Sequence, residues 1–117
     1  MRIKKLVEFR LKNHQRKVKI DCTKVMSALE KSRMLFPAPP SHINVTLVSN
    51  TKIKELNRKF LNKNTLTDVL SFKLSPDEGE IIISAEMATE NGKNYGITVE
   101  YEVLYLIIHG YLHLKNY

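Results

Sequence analysis

The chain has 117 residues, 43% of them hydrophobic and 26% charged, which suits one globular domain with one modest core and excludes both global disorder and a comfortable two-domain enzyme. Nineteen Lys and Arg against 12 Asp and Glu leave a net charge of +7, and no apolar run is long enough for a transmembrane helix. The opening MRIKKLVEFRLKNH carries charges inside its apolar stretch and lacks a small-residue cleavage site, so it does not read as a signal peptide; the lone Cys22 allows no intramolecular disulfide, and a cytoplasmic address is expected.

In chain order, 3–10 (IKKLVEFR) is expected to form a strand, with KVKI at 17–20 extending it or making a second edge segment. Asp21 looks like an N-cap for a helix over 22–35, on which Val25, Met26, Leu29, Leu35 and Phe36 recur at helical spacing; the PAPP stretch, Pro37 to Pro40, must end it. INVTLVS at 43–49 is β-branched and alternating, a strand. Asn50 or Thr51 can cap a helix running to about Leu61, whose apolar side is Ile53, Leu56, Phe60 and Leu61. A strand over 67–74, a turn at SPDEG (75–79) and a buried strand at 80–84 follow, then a helix over 84–94. From Thr98, a good N-cap with Glu100 and Glu102 behind it, a strongly apolar helix runs to about Lys115. The order βαβαββαα predicts a single α+β domain, a small mixed sheet of about four strands packed with helices, with the C-terminal helix central.

Charge is distributed unevenly. Residues 1–63 hold 16 basic residues against four acidic ones, a balance of +12, and residues 64–117 hold three against eight, a balance of −5. A half-chain of that sign is a candidate phosphate-attracting surface, because neutralising phosphates releases condensed counterions. No interleaved aromatic pair of the RNP kind stands out, so no sequence-specific RNA-reading module is expected.

The chemistry gathers in LIIHGYLHLKNY. His109 and His113 are four residues apart on one helix, about 40° apart in azimuth and about 6 Å along the axis, a relation in which two imidazoles can point at one metal ion. The alternative is a pair of core or cleft histidines satisfied by other partners. Because the helix is apolar nearly all round, burial of the pair is expected, and unpartnered buried imidazoles would be costly. Gly110 stands where an HExxH protease carries its general base, which disfavours a zinc peptidase; a helical glycine costs about 1 kcal/mol against Ala, so a packing or access reason for it is expected. His14 and His42 lack ligand spacing, Cys22 reads as a core filler, and Met26 and Met34 as helix core or rim.

LNRKF at 56–60, LTDVLSF at 66–72, GEIIIS at 79–84 and HGYLHLKNY at 109–117 resemble the YbeY family of metal-dependent bacterial endoribonucleases, single-domain proteins of ribosomal RNA maturation. The resemblance runs from about residue 43 to the end and is most specific in TDVLSF and HGYLHL. It implies one Zn²⁺ held by His109, His113 and a third histidine at position 119, beyond Tyr117, so that 1–117 would be a YbeY-like domain lacking its C-terminal part. No catalytic side chain is assigned; a water on that metal would attack a phosphodiester while the cationic half holds single-stranded RNA. Asn116 stands where the family has the glycine that breaks the helix, and Asn tolerates the left-handed conformation such a break uses. The family arginine after the aromatic matched by Phe60 is Leu61 here, which cannot clamp a phosphate; Arg58, Lys59 and Lys63 are the candidate RNA contacts instead, with solvated surface cations as the alternative for Arg58 and Lys63. Leu66 and Lys73 replace usual prolines, and Glu80 a usual aspartate. Asp68 and Ser71 are candidates to support an imidazole or a water, with strand-end capping as the alternative. The expected partners are single-stranded or ribosomal RNA and the small ribosomal subunit, with no membrane. The competing function is a non-catalytic, basic RNA- or ribosome-binding assembly factor whose metal is structural or absent.

Overall fold

The alternating and apolar stretches pair into one four-stranded sheet. In the computed structural model, which describes residues 5–116, its strands are β1 (Glu8–Asn13), β2 (His42–Val48), β3 (Val69–Ser75) and β4 (Glu78–Ser84), in the spatial order β1-β2-β4-β3. β1–β2 and β2–β4 are parallel and β3–β4 antiparallel, so the sheet is mixed. The helices are α1 (Cys22–Lys31), α2 (Asn50–Leu61), α3 (Ala85–Tyr95) and α4 (Val99–Leu114), with a 3-10 turn at Arg33–Leu35. No helix among the described residues is long and apolar enough to cross a membrane.

The sheet has two unequal faces. Phe9, Ile43, Val45, Leu47, Ile81 and Ile83 point to one side and join Val25, Leu29, Val103, Leu106, Ile107, Tyr111 and Leu114 in the main core. On the other side Val48, Leu70 and Ile82 meet Ile53 of α2 in a smaller cluster, extended by Leu56 and Phe72. β4 is therefore covered on both faces along part of its length, which explains its unbroken Ile81–Ile83 run.

Five expectations shift. The first strand begins at Glu8 rather than at residue 3, because the alternation that points Phe9 and Leu11 inward starts there; Leu6 makes only an isolated bridge to Pro37, and residues 3 and 4 lie outside the described residues. KVKI forms no strand: the Gln15 side chain satisfies Val18 from both directions, donating to its carbonyl (2.8 Å) and accepting from its N–H (2.9 Å). α1 stops at Lys31, since the Ser32 hydroxyl turns back onto the Ala28 carbonyl at 2.7 Å. The 3-10 turn that follows leaves Leu35 72% exposed and rotates Phe36 into the core, edge-on to both Phe9 and Tyr111 at 5.0 Å. The cap of α2 is Ser49, accepting from Lys52 N–H, so Asn50 is the first helical residue.

The remaining caps match expectation. Asp21 accepts from Lys24 N–H and Thr98 from Tyr101 N–H. The proline segment docks on the end of α4, where the Tyr111 hydroxyl donates to Pro37 O (2.8 Å) and Lys115 Nζ to Pro39 O (2.7 Å).

Candidate functional site

α4 lies against the sheet because Gly110 lets it. A Cβ at that position would stand 3.0 Å from Cδ1 and Cγ2 of Ile81 and 3.1 Å from its Cγ1, so the glycine serves close helix–sheet packing. That approach fixes the register of the residues on either side. The result differs from the expected buried pair: His109 and His113 both project from the exposed side of α4. One face of the helix packs inward through Val103, Leu106, Ile107, Tyr111 and Leu114, and the other carries the imidazoles beside Tyr101, Tyr105, Ile108 and Leu112.

Each imidazole has one neighbour that orients it. The Ser71 hydroxyl lies 2.8 Å from His113 Nδ1, and the His109 ring stacks with Tyr105 at 6.4 Å between centroids. In the tautomer in which Ser71 accepts from Nδ1–H, the lone pair of His113 is on Nε2, the atom a metal would take. The Ser71 placement follows from the strand period: Ser71 pairs with Ile81 and shares its face, the one against α4, whereas Phe72 points to the opposite face. Two imidazoles suit zinc as part of a ligand set, but no group of three or more His, Cys, Asp or Glu side chains among the described residues is placed to hold a metal.

Asp68 lies elsewhere. Its carboxylate accepts from Asn91 Nδ2 (3.2 Å), which also donates to Glu102 (3.3 Å), and its carbonyl accepts from Ser84 N–H (2.9 Å). Asp68 thereby ties the start of β3 to α3 and α4. Burial holds the Glu102 carboxyl above the usual glutamate range, with the Asp68 charge pushing the same way and the Asn91 hydrogen bond opposing. Arg58, Lys59 and Lys63 are exposed around the end of α2, where Asn62 closes the helix at φ 54°. His14 is exposed, and His42 is half-exposed with Nδ1 3.8 Å from Glu8. Burial, then Asp21 and Glu100, push the Cys22 thiol up, and its side chain packs partly buried against the core. Met34 is 70% exposed at the rim.

Two features were not singled out from the sequence. Asn57, in the LNRKF segment, is buried and donates to Thr65 O at 2.9 Å, pinning the loop that leads into Thr67 and Asp68. A buried polar residue on the apolar side of α2 was the available signal. Phe60 and Phe72, twelve positions apart, stack at 5.3 Å with an interplanar angle of 28°; only the fold brings them together.

Taken as a class, this is a mixed-sheet α+β domain that presents an HxxxH pair to solvent from a helix packed on the sheet, with one imidazole oriented by a sheet serine. The sequence model of the family described as Endoribonuclease YbeY matches residues 6–117, and the chain belongs to that family. Among its relatives, an Endoribonuclease YbeY of Syntrophus aciditrophicus is 34% identical over 116 residues, covering 92% of this chain and 72% of that protein. One from Staphylococcus carnosus is 39% identical over 89 residues, with 66% and 58% covered, and one from Thermotoga neapolitana 48% identical over 75 residues, with 63% and 50% covered. The chain thus spans between half and about three-quarters of the length of these relatives. The solution structure of TM1509 from Thermotoga maritima superposes with a TM-score of 0.62 at 31% identity, over 94% of this chain and 73% of that one.

Proposed function

We propose that this chain carries the metal-binding core of a single-strand-specific, zinc-dependent endoribonuclease that processes ribosomal RNA in small-subunit maturation. The observation that carries the reading is the orientation of His113 by Ser71 beside His109 on the solvent side of α4, in a chain of the Endoribonuclease YbeY family. His109 and His113 would supply two ligands, and a histidine at position 119, as the family resemblance implies, would complete a His₃ set. A zinc ion held there would supply Lewis-acid chemistry for hydrolysing a phosphodiester. The protein's own part is positional. Ser71 holds the His113 ring through Nδ1, Gly110 seats the helix, and the exposed cations Arg58, Lys59 and Lys63 would draw the phosphate backbone.

The test compares this chain with one extended through a histidine at position 119, using elemental analysis and a cleavage assay on single-stranded RNA with and without chelator. Zinc near one per chain and chelator-sensitive cleavage in the extended protein are the expected outcome. Chelator-insensitive RNA binding without cleavage in the extended protein overturns the enzyme reading in favour of an assembly factor. His113→Ala should abolish tight zinc binding while leaving the thermal unfolding midpoint in place, and unchanged zinc affinity would remove His113 from the site.

A further inference from the structure

The stacked pair Phe60–Phe72 lies outside the histidine site. Phe72 closes the small core cluster under α2, but Phe60 adds nothing to that cluster: it lies on Phe72 with half its surface (51%) in water. The outer face of the Phe60 ring is therefore open to a planar ligand. Cations gather at this end of α2. Lys59 Nζ is 5.6 Å from the Phe60 ring centroid, Arg58 and Lys59 occupy the last turn of α2, and Lys63 follows the Asn62 cap. One acid shares the Phe72 face: Glu80 stands opposite Phe72 on β4, and Asn44 Nδ2 donates to it at 3.2 Å and to Glu78 at 3.1 Å. An aromatic face flanked by cations is the composition of a stacking platform for single-stranded nucleic acid, in which any base offers a π-face and the phosphates meet the lysines.

Position supports the same occupant. β3 is an edge strand of the sheet, and Phe72 follows directly on Ser71, the residue hydrogen-bonded to His113. Consecutive strand residues face opposite sides, so the platform and the imidazoles flank one sheet edge, and a strand of RNA that crosses this edge reaches both. We propose that Phe60, stacked on Phe72, is a base-stacking subsite for a nucleobase of single-stranded RNA, with Lys59 contacting the adjoining phosphate. The proposal rests on the RNA-processing reading and adds to it the residues that select an unpaired strand. A duplex cannot offer a free base face, so this subsite discriminates against it.

The experiment measures fluorescence anisotropy of a labelled single-stranded RNA oligonucleotide, with chelator present so that neither zinc nor cleavage contributes. Phe60→Leu keeps an apolar side chain but no π-face. It is expected to weaken single-strand binding about tenfold at every salt concentration without changing the salt slope, whereas Phe60→Tyr retains the affinity. Lys59→Ala is expected to reduce the slope of log K against log salt by about 0.7. Circular dichroism melts verify that each variant is folded. Wild-type protein that binds no RNA overturns the proposal together with the reading beneath it. Wild-type protein that binds RNA, with Phe60→Leu equal to it, overturns the stacking subsite alone. A wild-type dimer that Phe60→Leu converts to monomer assigns the ring to a second copy of this chain, and also overturns it.

Discussion

The two faces of α4 are almost equally apolar and do opposite things. Val103, Leu106, Ile107, Tyr111 and Leu114 disappear into the core, whereas Tyr101, Tyr105, Ile108 and Leu112 stand 42–60% exposed with His109 and His113 among them. The face that goes in is chosen by shape. Gly110 is the one position on the helix with no side chain, and it allows the approach to Ile81 that puts Leu106, Ile107 and Leu114 within reach of the sheet. Hydrophobicity recruits the helix to the sheet; a missing methyl sets its rotation, and the rotation presents the imidazoles.

The sharpest way to break this comparison is to truncate neighbours on opposite faces. Ile107 is fully buried, and Ile107→Ala should cost about 2–5 kcal/mol in urea unfolding, a large share of a small domain's stability. Ile108, 43% exposed, should lose no more than about 0.5 kcal/mol on the same change. Equal costs would mean that the outer face is covered in solution.

A smaller effect tests the rotation itself. Gly110→Ala gains about 1 kcal/mol of helix propensity but places a methyl 3.0 Å from two atoms of Ile81, an overpacking that costs about 1–3 kcal/mol. Net destabilisation is expected. Ile81→Val removes Cδ1, one of the three close atoms, so a double-mutant cycle should show favourable coupling between the two changes. A stabilised Gly110→Ala single mutant would show that the helix can stand off from the sheet without loss.

Much of this was legible in the sequence, for identifiable reasons. Element order and most caps followed from local chemistry: Asp21 and Thr98 each accept from the N–H three residues on, and the β-branched INVTLV run could be little else but a strand. The HxxxH spacing also needed no fold. What stayed hidden was set by tertiary contact. An apolar helix carries no marker of which stripe is buried, so the histidines were expected inside. Gln15 acting as a partner for Val18 cannot be read from the composition of KVKI, and the Phe60–Phe72 stack joins residues on different elements. Asp68 and Ser71, three residues apart in one motif, serve different neighbours, Asn91 and His113, for the same reason.

The smallest expected effect concerns the one acid on the inward face. Glu102 is 3% exposed, with Asn91 donating to it and the Asp68 carboxylate bonded to that same amide. Its folded pKa is raised by burial, so the native state holds a proton that the unfolded chain has already released once pH exceeds about 4.5. The ionised carboxylate therefore weakens the fold increasingly as pH rises from there through the folded pKa, and this contribution vanishes below the unfolded value. Glu80, also raised by burial, works in the same direction, whereas Asp77, lowered by its hydrogen bond to Ser41, loses its contribution only as pH falls below about 3.8. The difference between wild type and Glu102→Gln removes both of these backgrounds. Glutamine keeps an oxygen for the Asn91 amide, so the variant's unfolding midpoint should fall less than that of wild type between pH 4.5 and neutrality. Parallel profiles would mean that Glu102 is solvated well enough to ionise freely, and that the inward face of α4 is less dry than its apolar neighbours make it.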